Sequence, residues 1–352
     1  MKVLLTGSAG FIGTAIGEVL DADGHEVVRV DVMLPMAHGA SAPPAGTHRL
    51  DVREALDWSE PADPGLWDGV DAVCHQAALV GAGVRVGDLP DYAGHNDLGT
   101  AALLAAMHEA GVDRLVLASS MVVYGEGRYT CAEHGDQTPP PRSVEALDAG
   151  DFDNHCPVCE ARLDWALVDE SARLDPRSSY AASKVAQEHY AAAWVRQAGA
   201  AAVALRYHNV YGPGMPRDTP YSGVAAMFRS SLERGQPPQV YEDGGQLRDF
   251  VHVSDVARAN LAALRSVVEE PLGRYDAYNV ASGHPVSILD VAGLVADGLP
   301  DRVEPEVTGG YRLGDVRHIV ASPARASAEL GFSAEVPPEQ GLPAFATAPL
   351  RD

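Results

Sequence analysis

Tyr180 and Lys184 form the pair of residues whose type and spacing most clearly predict chemistry. Residues four apart share one face of a helix, so the lysine ammonium would lie beside the tyrosine phenol. A free tyrosine has a pKa of about 10 and is a poor base at neutral pH, but a nearby positive charge lowers that pKa. The pair therefore indicates proton transfer involving a hydroxyl or carbonyl group. The spacing alone is a weak signal, because many surface helices contain it.

A glycine-rich segment near the first residue supplies a context for that chemistry. It follows the apolar run 3–5 and precedes a stretch with helical spacing of apolar residues. Its first two glycines let the backbone approach a pyrophosphate, and the third lets the helix pack closely against a sheet. The backbone N–H groups at the start of that helix would bind the phosphates. The residues expected to contact a dinucleotide here are Gly7, Gly10, Phe11, Ile12 and Gly13.

Asp31 ends the second apolar strand, 26–30, where a carboxylate can accept both ribose hydroxyls of the dinucleotide. The same carboxylate would repel a 2′-phosphate, so the sequence favours NAD over NADP. An aspartate that merely ends a strand in solvent is the alternative. Asp51 and Val52 follow the next short strand and are expected at the adenine edge, although an aspartate in that position is often only a turn residue.

Strands alternate with helices along most of the chain, which predicts a parallel sheet joined by crossovers. The expected fold class is α/β, with a Rossmann-like doubly wound parallel sheet and a smaller C-terminal substrate-binding lobe. Residues 125–172 interrupt the alternation and predict a Cys-rich inserted loop. We expect a dinucleotide-binding domain at 1–208 and mainly the substrate-binding lobe at 209–352, with 250–281 returning to the core domain. The predicted strands are 3–5, 26–30, 71–75, 114–119 and 202–206, and the predicted helices are 11–20, 96–110 and 178–197.

The overall charge excludes some partners. The chain has 352 residues, with 26 basic and 49 acidic side chains and a formal net charge of −23. Non-specific binding to nucleic acid or to an anionic membrane requires basic patches, so neither partner is expected. No apolar run approaches the roughly 18 residues that cross a bilayer, and the N-terminal residues are typical of a strand rather than a signal peptide. We expect a cytoplasmic protein.

Three of the four cysteines lie in the inserted loop. Cys-Pro-x-Cys is a turn that directs two thiolates toward one ion, and three cysteines with one histidine suit tetrahedral, structural zinc with no open position. Reduced surface thiols, or a redox-active cysteine pair, are the alternatives. Zinc knuckles usually have glycine next, where this chain has Glu160, and His155 is a spare ligand. Cys74 is expected to be a small buried side chain. The predicted ligands are Cys131, His134, Cys156 and Cys159.

Several further motifs occur in a fixed order along residues 1 to about 322. They are His75-Gln76-Ala77-Ala78, Asn96-Asp97-Leu98-Gly99-Thr100, Ser119-Ser120-Met121-Val122-Val123-Tyr124-Gly125, Arg206-Tyr207-His208-Asn209-Val210-Tyr211-Gly212-Pro213, Arg248-Asp249-Phe250-Val251-His252-Val253 and Asn279-Val280. Each motif is weak alone, but their joint order is specific. With the glycine-rich segment and Tyr180, the chain resembles the extended short-chain dehydrogenase/reductase family, in its branch of nucleotide-sugar epimerases and dehydratases.

The resemblance implies roles for particular residues. Tyr180 would be the acid/base on the sugar hydroxyl, Lys184 would hold the nicotinamide ribose and lower the pKa of Tyr180, and Ser120 would bind the reacting oxygen. Ser119 is the candidate if that register slips by one. His208 could face the substrate, whereas His75 and His252 are expected to be packed histidines. The resemblance also implies cofactor contacts at Ala77, Ala78 and Asn96, diphosphate contacts at Asn209, Arg248 and Arg312, and a ribose contact at Asp315. For Arg248, the alternative is an ion pair with Asp249.

The residues after Ser120 narrow the expected reaction. Dehydratases of this branch carry an acidic pair there, and decarboxylases usually carry a glutamate, but this chain has Met121 and Val122. The sequence therefore favours NAD-dependent 4-epimerisation of a nucleotide-diphosphate sugar through a 4-keto intermediate. The stretch 205–216 with the cysteine insert resembles members of the branch that act on dTDP-L-rhamnose. A decarboxylase, a 4-ketosugar reductase and a non-catalytic dinucleotide sensor remain alternatives.

The resemblance also implies a quaternary structure. In this family, the helices equivalent to 96–110 and 178–197 pair two subunits in a four-helix bundle, so a homodimer is expected.

Overall fold

The computed structural model describes residues 1–39, 41–58, 65–83, 85–217 and 223–351. Strands and helices alternate through its first two hundred residues. The strands are β1 (Lys2–Thr6), β2 (Glu26–Val30), β3 (Thr47–His48), β4 (Ala72–His75), β5 (Arg114–Ser120), β6 (Arg128–Cys131), β7 (Gly135–Gln137), β8 (Asp164–Ala166), β9 (Ala201–Tyr207), β10 (Asn209–Tyr211), β11 (Gln239–Val240), β12 (Leu247–His252), β13 (Tyr275–Val280), β14 (Pro285–Ser287), β15 (Glu306–Val307) and β16 (His318–Ile319).

The α-helices of the described residues pack on both sides of the largest sheet and around the later strands. They are α1 (Phe11–Ala22), α2 (Pro35–His38), α3 (Leu89–Tyr92), α4 (Gly99–Glu109), α5 (Val144–Asp148), α6 (Ser179–Ala198), α7 (Val224–Glu233), α8 (Val253–Glu269), α9 (Ile288–Asp297), α10 (Ala324–Leu330) and α11 (Pro338–Phe345). A π-helical segment, Ala93–Leu98, precedes α4, so the predicted helix 96–110 begins in a wider turn. No helix of the described residues is long and apolar enough to cross a membrane.

Within the described residues, seven strands form one parallel sheet in the order β3–β2–β1–β4–β5–β9–β13. The chain starts in the middle of the sheet and winds outward in both directions, which is the doubly wound arrangement. The predicted α/β, Rossmann-like fold is therefore confirmed. The edge strand β13 of this sheet lies within residues 250–281, and α8, which precedes it, packs against α1. The domain boundaries at 208 and 209 stay a prediction.

Both faces of this sheet are buried, and β1 shows why its sequence is apolar throughout. Val3 and Leu5 pack with α1 and α8 in one core, whereas Leu4 packs with α4 and α6 in the other. Alternate residues of a strand point to opposite faces, so a strand covered by helices on both sides needs apolar residues at every position.

The inserted loop forms a small structure of its own. Strands β7, β6 and β8 make a three-stranded antiparallel sheet, and α5 follows β7. The residues from 209 onward contribute a second sheet, in which β12 pairs with β10, β14 and β16. This sheet packs with α7, α9 and α11 in a separate apolar core.

A buried ion pair joins helix α6 to the large sheet. Arg206 of β9 donates to both carboxylate oxygens of Glu188, at 2.9 and 2.7 Å. The Ser119 hydroxyl and the Tyr275 hydroxyl also donate to this carboxylate, at 2.5 and 3.1 Å. Burial opposes ionisation of Glu188, but the hydrogen bonds and charge of Arg206 hold its pKa below the usual value. The pair connects α6 with β5, β9 and β13.

Replacing Glu188 with Gln tests how much the fold depends on this pair. The variant leaves the Arg206 charge buried without its counterion, which typically costs about 3 kcal/mol or more. We expect the free energy of unfolding, measured by urea denaturation, to fall by about that amount. Glu270→Gln is the matched control, because Glu270 pairs with Arg274 at the surface and should change stability by less than about 1 kcal/mol. Equal losses in the two variants would contradict a structural role for the pair.

Candidate active site

A cavity of about 630 Å³ opens where the carboxyl ends of the central strands face the later residues of the chain. Ligands of doubly wound sheets bind in this crevice, because the strand order reverses there. The later part of the chain contributes Asn209, Met215, Phe250 and Arg351 to the lining. The predicted site residues that line it are Gly7, Gly10, Phe11, Ile12, Gly13, Asp31, Asp51, Val52, Ala77, Ala78, Tyr180, Lys184 and Asn209.

The glycine-rich segment forms a tight turn under the first helix. Gly7 has a φ of 65°, and a Cβ there would lie 2.7 Å from the Ala77 nitrogen. A Cβ on Gly13 would lie 2.1 Å from the Gly7 oxygen, so any side chain would push α1 away from the loop. No side chain caps α1 at Gly10, which leaves the backbone N–H groups of its first turn available to an anion. These features fit the diphosphate of a dinucleotide.

Asp31 is buried beside this turn. Its carboxylate accepts from the Ala9 nitrogen at 3.1 Å and from the Met33 nitrogen at 2.8 Å, and the His38 ring nitrogen lies 3.4 Å away. Burial opposes ionisation, but the contacts with His38 and Met33 hold the pKa of Asp31 below its usual value. The residue is therefore an anion in the cavity wall. A negative charge there fits ribose hydroxyls and opposes a 2′-phosphate.

Asp51 also lies in the wall, but its carboxylate is engaged. It accepts from the Arg53 backbone nitrogen at 2.9 Å and forms an ion pair with the Arg53 side chain at 2.5 Å. It therefore closes the turn into the 3-10 segment at Val52 as well as lining the cavity.

Tyr180 and Lys184 lie on the first two turns of α6, which Ser178 caps by accepting from the Ala181 nitrogen at 3.1 Å. Burial raises the pKa of Tyr180 to about 12, and the nearby Ser120 hydroxyl offsets this only in part. Burial lowers the pKa of Lys184 to about 7, and its ammonium donates to the Ala118 oxygen at 2.9 Å. The chain's own groups therefore do not lower the pKa of Tyr180 as the sequence led us to expect, because desolvation outweighs them.

The two serines at the end of β5 have different partners. Ser119 is buried and its hydroxyl donates to Glu188 at 2.5 Å, so that hydroxyl is already engaged. Ser120 is half-buried, and its hydroxyl accepts a long bond from the Val122 nitrogen, at 3.4 Å, while lying close enough to Tyr180 to lower the pKa of the phenol. Of the two, Ser120 is thus the candidate for contact with a reacting oxygen.

Asn96 lies behind the cavity wall rather than in it. Its side-chain oxygen accepts from the Leu79 nitrogen at 2.7 Å, and its amide donates to the Leu79 oxygen at 3.0 Å and to the Ser183 hydroxyl at 2.8 Å. These bonds attach the loop after β4 to α6. Asn96 would act on a cofactor through that loop, and not by the direct contact expected from the sequence.

The predicted diphosphate residues are not gathered in one cavity. Asn209 lines it, but the described lining does not include Arg248, Arg312 or Asp315. Arg248 donates to the backbone oxygens of Leu247, Val316 and Arg317, at 2.8, 2.6 and 3.0 Å. Arg312 is exposed, with its guanidinium 5.1 Å from the centre of the Tyr241 ring.

The ion pair between Arg248 and Asp249, considered as the alternative role for the arginine, is not formed. Asp249 instead accepts from the Ser282 and Gly283 nitrogens at 2.6 and 2.9 Å. The Arg248 guanidinium therefore lies near the loop that holds Asp315. Burial holds the pKa of Arg248 below its usual value, and the negative charge of Asp315 opposes this shift.

The four predicted metal ligands form a cluster in the inserted loop. The ligand atoms of Cys131, His134, Cys156 and Cys159 all lie within 4.8 Å of one another. The sulfur atoms of Cys131 and Cys159 are 3.7 Å apart, and those of Cys131 and Cys156 lie 3.5 and 3.7 Å from the Nδ1 atom of His134. Zinc bond lengths of about 2.3 Å to sulfur and about 2.0 Å to nitrogen imply edges of about 3.8 and 3.5 Å in a tetrahedron. The donor set and its spacing fit a zinc ion.

Glu160, the residue after this cluster, occupies a backbone position that favours glycine. Glu160 has a φ of 60°, in the left-handed region that glycine adopts without strain. Its nitrogen donates to the Cys156 oxygen at 2.9 Å and closes the turn. The glutamate therefore strains the turn, but the turn forms and the ligands still converge.

Comparison with known proteins is decisive for the family. The model of the NAD dependent epimerase/dehydratase family matches residues 3–146 and 166–281. The chain belongs to this family. Cys156 and Cys159 lie between those ranges, outside the residues that the family model matches.

Individual family members are similar over nearly the whole chain. The chain is 34% identical to the dTDP-L-rhamnose 4-epimerase of Burkholderia thailandensis, over 97% of this chain and 93% of that protein. The solved UDP-glucose 4-epimerase of Thermus thermophilus, in complex with NAD, is 30% identical with a TM-score of 0.75 and 98% of each chain covered. The UDP-glucose 4-epimerase of Thermotoga maritima with UDP-glucose is 25% identical, with a TM-score of 0.78 and 98% and 97% covered.

Two residues of the cavity wall were missed by sequence reasoning. His38 lies beside Asp31, and Arg351 reaches the glycine-rich turn from the far end of the sequence. Neither belongs to a motif of the epimerase/dehydratase family quoted above. Only the folded chain brings them to the cavity.

His208, which the sequence allowed to face the substrate, is a buried histidine without a hydrogen-bond partner on either ring nitrogen in the described residues. Burial lowers its pKa to about 3, and the nearby Arg248 charge adds to this. The ring is therefore neutral at physiological pH. Since it precedes Asn209 and lies near Arg248, a polar group entering between these residues would find two unused ring nitrogens.

The pKa of His208 predicts a loss of stability in acid. An unfolded histidine has a pKa of about 6.5, so between about 6.5 and 3 the unfolded chain binds more protons and stability is lost as pH falls. We expect the free energy of unfolding to drop between pH 7 and pH 5, and His208→Phe to reduce that drop by roughly 2 kcal/mol. Urea denaturation at each pH measures both values.

The exposed residue His284 offers the matched control for this experiment. His284→Phe makes the same replacement at an exposed position, so the acid dependence of His208→Phe is compared with that of this variant. His75, whose pKa burial lowers to about 3, should account for part of the drop that remains. A His208→Phe protein with the full acid dependence of the parent would show that the ring is not buried in its neutral form.

Proposed function

We propose that this protein is an NAD-dependent 4-epimerase of a nucleotide-diphosphate sugar. The observation that carries the proposal is that Tyr180 and Lys184 line the same cavity as the glycine-rich turn and Asp31, with Ser120 close enough to Tyr180 to lower the pKa of its phenol. An acid/base residue and a hydroxyl are thus close to a site shaped for a dinucleotide. The relatives named above, which are 4-epimerases, support the same reaction.

Each residue would have a defined part in the reaction. The turn from Gly7 to Gly13 would hold the NAD diphosphate and Asp31 the adenosine ribose, while Lys184 would bind the nicotinamide ribose. NAD would supply the hydride acceptor for C4 of the sugar, and later the hydride donor. Tyr180 would take the proton of the 4-hydroxyl and return one to the inverted centre, with Ser120 orienting that oxygen.

The side chains after Ser120 support epimerisation over elimination. Met121 and Val122 form a 3-10 turn directly after the serine, and Met121 packs on the apolar cluster of Val123 and Tyr124. Neither side chain can donate or accept the proton that dehydration requires. A 4-keto sugar that turns over in the site would therefore receive the hydride on its other face.

The substrate we infer is dTDP-L-rhamnose or a related deoxysugar nucleotide. The support is the similarity to the Burkholderia thailandensis enzyme, which extends over the inserted loop, and the apolar residues beside Ser120. Incubation with a panel of dTDP- and UDP-sugars, followed by proton NMR, identifies the substrate and the product. Inversion at C4 without added NADH supports an epimerase, consumption of NADH indicates a reductase, and release of CO2 indicates a decarboxylase.

Tyr180→Phe tests the acid/base assignment. Removing the phenol proton site should lower kcat by about 10³-fold or more, since general acid–base catalysis typically contributes 10²- to 10⁴-fold. Retained NAD, measured by absorbance after denaturation, should stay the same because the ring remains. Unchanged turnover in this variant would exclude Tyr180 as the acid/base.

Arg302→Ala serves as the comparison, because Arg302 is an exposed residue whose charge pairs with Asp297 and Glu304. It should alter neither turnover nor NAD retention. A similar loss of activity in this variant would point to a general loss of folded protein and not to the tyrosine.

We also propose that the cysteine cluster holds one structural zinc ion. Three thiolates and one imidazole fill a tetrahedron and leave no position for a substrate. Burial alone would raise the pKa of Cys156, but hydrogen bonds from the Cys159 and Val158 backbone lower it to about 7. The thiolate that a metal requires is therefore accessible at neutral pH.

Elemental analysis of the purified protein tests the zinc proposal. We expect about one zinc per chain, loss of the metal in Cys156→Ser, and a lower thermal unfolding temperature for that variant because the loop loses its metal cross-link. Cys74→Ala, which removes a thiol from the core sheet, should keep the zinc. A parent protein without zinc, or a Cys156→Ser protein that binds as much, would refute the site.

A homodimer is proposed from the same family resemblance. Two large side chains support it. Leu98, in the π-helical segment before α4, and Tyr190, in α6, are each about half exposed. A partner subunit would cover them. The cytoplasmic location and the division into a dinucleotide-binding domain and a substrate-binding lobe also stay predictions.

A further inference from the structure

Arg351 lies at the cofactor cavity, although it is 320 residues away in sequence from Asp31, which follows β2. Its guanidinium donates to the Ala9 oxygen of the glycine-rich turn at 2.5 Å and to the Ala37 oxygen of α2 at 3.4 Å. These two oxygens belong to the two segments that flank Asp31. One side chain therefore bridges both sides of the predicted adenosine end.

The backbone of this arginine is held in place from the other side of the cavity. Its nitrogen donates to the Met215 oxygen at 3.1 Å, and its oxygen accepts from the Arg217 nitrogen at 2.9 Å. The Gly214 nitrogen donates to the Pro349 oxygen at 2.8 Å. Residues 349–351 therefore run along the loop after β10, where Arg351 forms a single parallel bridge with Pro216.

A second arginine fixes the approach to this segment. Arg229 of α7 donates to the backbone oxygens of Ala346, at 2.8 Å, and of Ala348, and its guanidinium lies 5.5 Å from the centre of the Phe345 ring. The chain from the end of α11 to Arg351 is thus anchored at successive points. Because the anchors belong to the later part of the chain, Arg351 joins that part to the glycine-rich turn.

One nitrogen of the Arg351 guanidinium lacks a hydrogen-bond acceptor in the part of the chain that the structure describes. Its Nε atom is buried and has no hydrogen-bond partner in the described residues, and the negative charge of Asp31 acts on the guanidinium. A buried guanidinium donor without an acceptor is costly, and a phosphate or ribose oxygen is an acceptor that arginine binds well. The cavity beside it has the size and the glycine-rich turn of a dinucleotide site.

We propose that Arg351 is a clamp that retains the ADP half of the dinucleotide. The proposal rests on the function proposed above, in which the same NAD molecule is reduced and reoxidised in each cycle. Such an enzyme gains nothing by releasing its cofactor between turnovers. A residue that closes the adenosine end would slow that release without touching the nicotinamide or the sugar.

Arg351→Gln tests the clamp, because glutamine keeps a donor for a backbone oxygen but removes the charge. With protein stripped of bound nucleotide, calorimetry should give dissociation constants for NAD and for ADP that are each about tenfold weaker than those of the parent. Binding of nicotinamide mononucleotide should be unchanged, since it lacks the ADP half. The dissociation rate of NAD should rise by about the same factor.

Arg351→Ala and the surface variant Arg302→Ala complete the series. Arg351→Ala should weaken NAD at least as much as Arg351→Gln, while Arg302→Ala should match the parent, and thermal unfolding without nucleotide reports whether each variant is folded. Dissociation constants for NAD and ADP within twofold of the parent in folded Arg351→Gln would overturn the clamp. Equal weakening of nicotinamide mononucleotide would also overturn it, because a general distortion would then be the cause. A parent protein that does not bind NAD would instead overturn the proposed function.

Discussion

The ion pair between Glu188 and Arg206 is the interaction on which the geometry of the candidate site depends. Glu188 follows Lys184 by one helical turn, so whatever fixes the carboxylate also fixes the rotation of α6 about its axis. The same carboxylate binds the Ser119 hydroxyl at the end of β5. Ser120 and Tyr180 come from different parts of the chain, and this one buried group sets their relative position. Any other rotation of α6 would leave two charges buried without partners.

Desolvation is the second constraint, and it acts against the chemistry that the site is proposed to perform. The environment raises the pKa of Tyr180 and lowers that of Lys184. Both shifts favour the neutral forms, as expected when ionisable groups leave water. A phenol with a pKa of about 12 is almost wholly protonated at neutral pH, so very little of the phenolate that acts as the base is present. A positive charge bound in the cavity would favour the phenolate, so the cofactor would activate the base as well as accept the hydride.

Sequence reasoning succeeded where the determinants are local. The glycine-rich turn and the apolar β1 follow from short-range geometry, and the turn of Cys156 and Cys159 depends on adjacent residues. It could not find Arg351, which reaches the glycine-rich turn only through the packing of residues after 209. It also could not choose the partner of Asp249, because backbone nitrogens compete with a neighbouring guanidinium and only the fold decides between them. The raised pKa of Tyr180 could not be predicted from the sequence for a related reason. The spacing to Lys184 is visible in the sequence, but the desolvation comes from strands and loops that are distant in sequence.

The inserted loop lies between Ser120 and Tyr180 in sequence, yet it packs against the later part of the chain. Arg317, two residues after Asp315, forms ion pairs with Asp153 at 3.0 Å and with Glu242 at 3.0 Å, and its nitrogen donates to Glu126 at 2.7 Å. The loop therefore supports the backbone to which Arg248 donates. A metal ion in the cysteine cluster would stiffen this support, because the cluster and Asp153 belong to the same short segment. If the proposed zinc ion is bound, its influence on the candidate site would pass through the position of that backbone, because its four protein ligands leave no open coordination position.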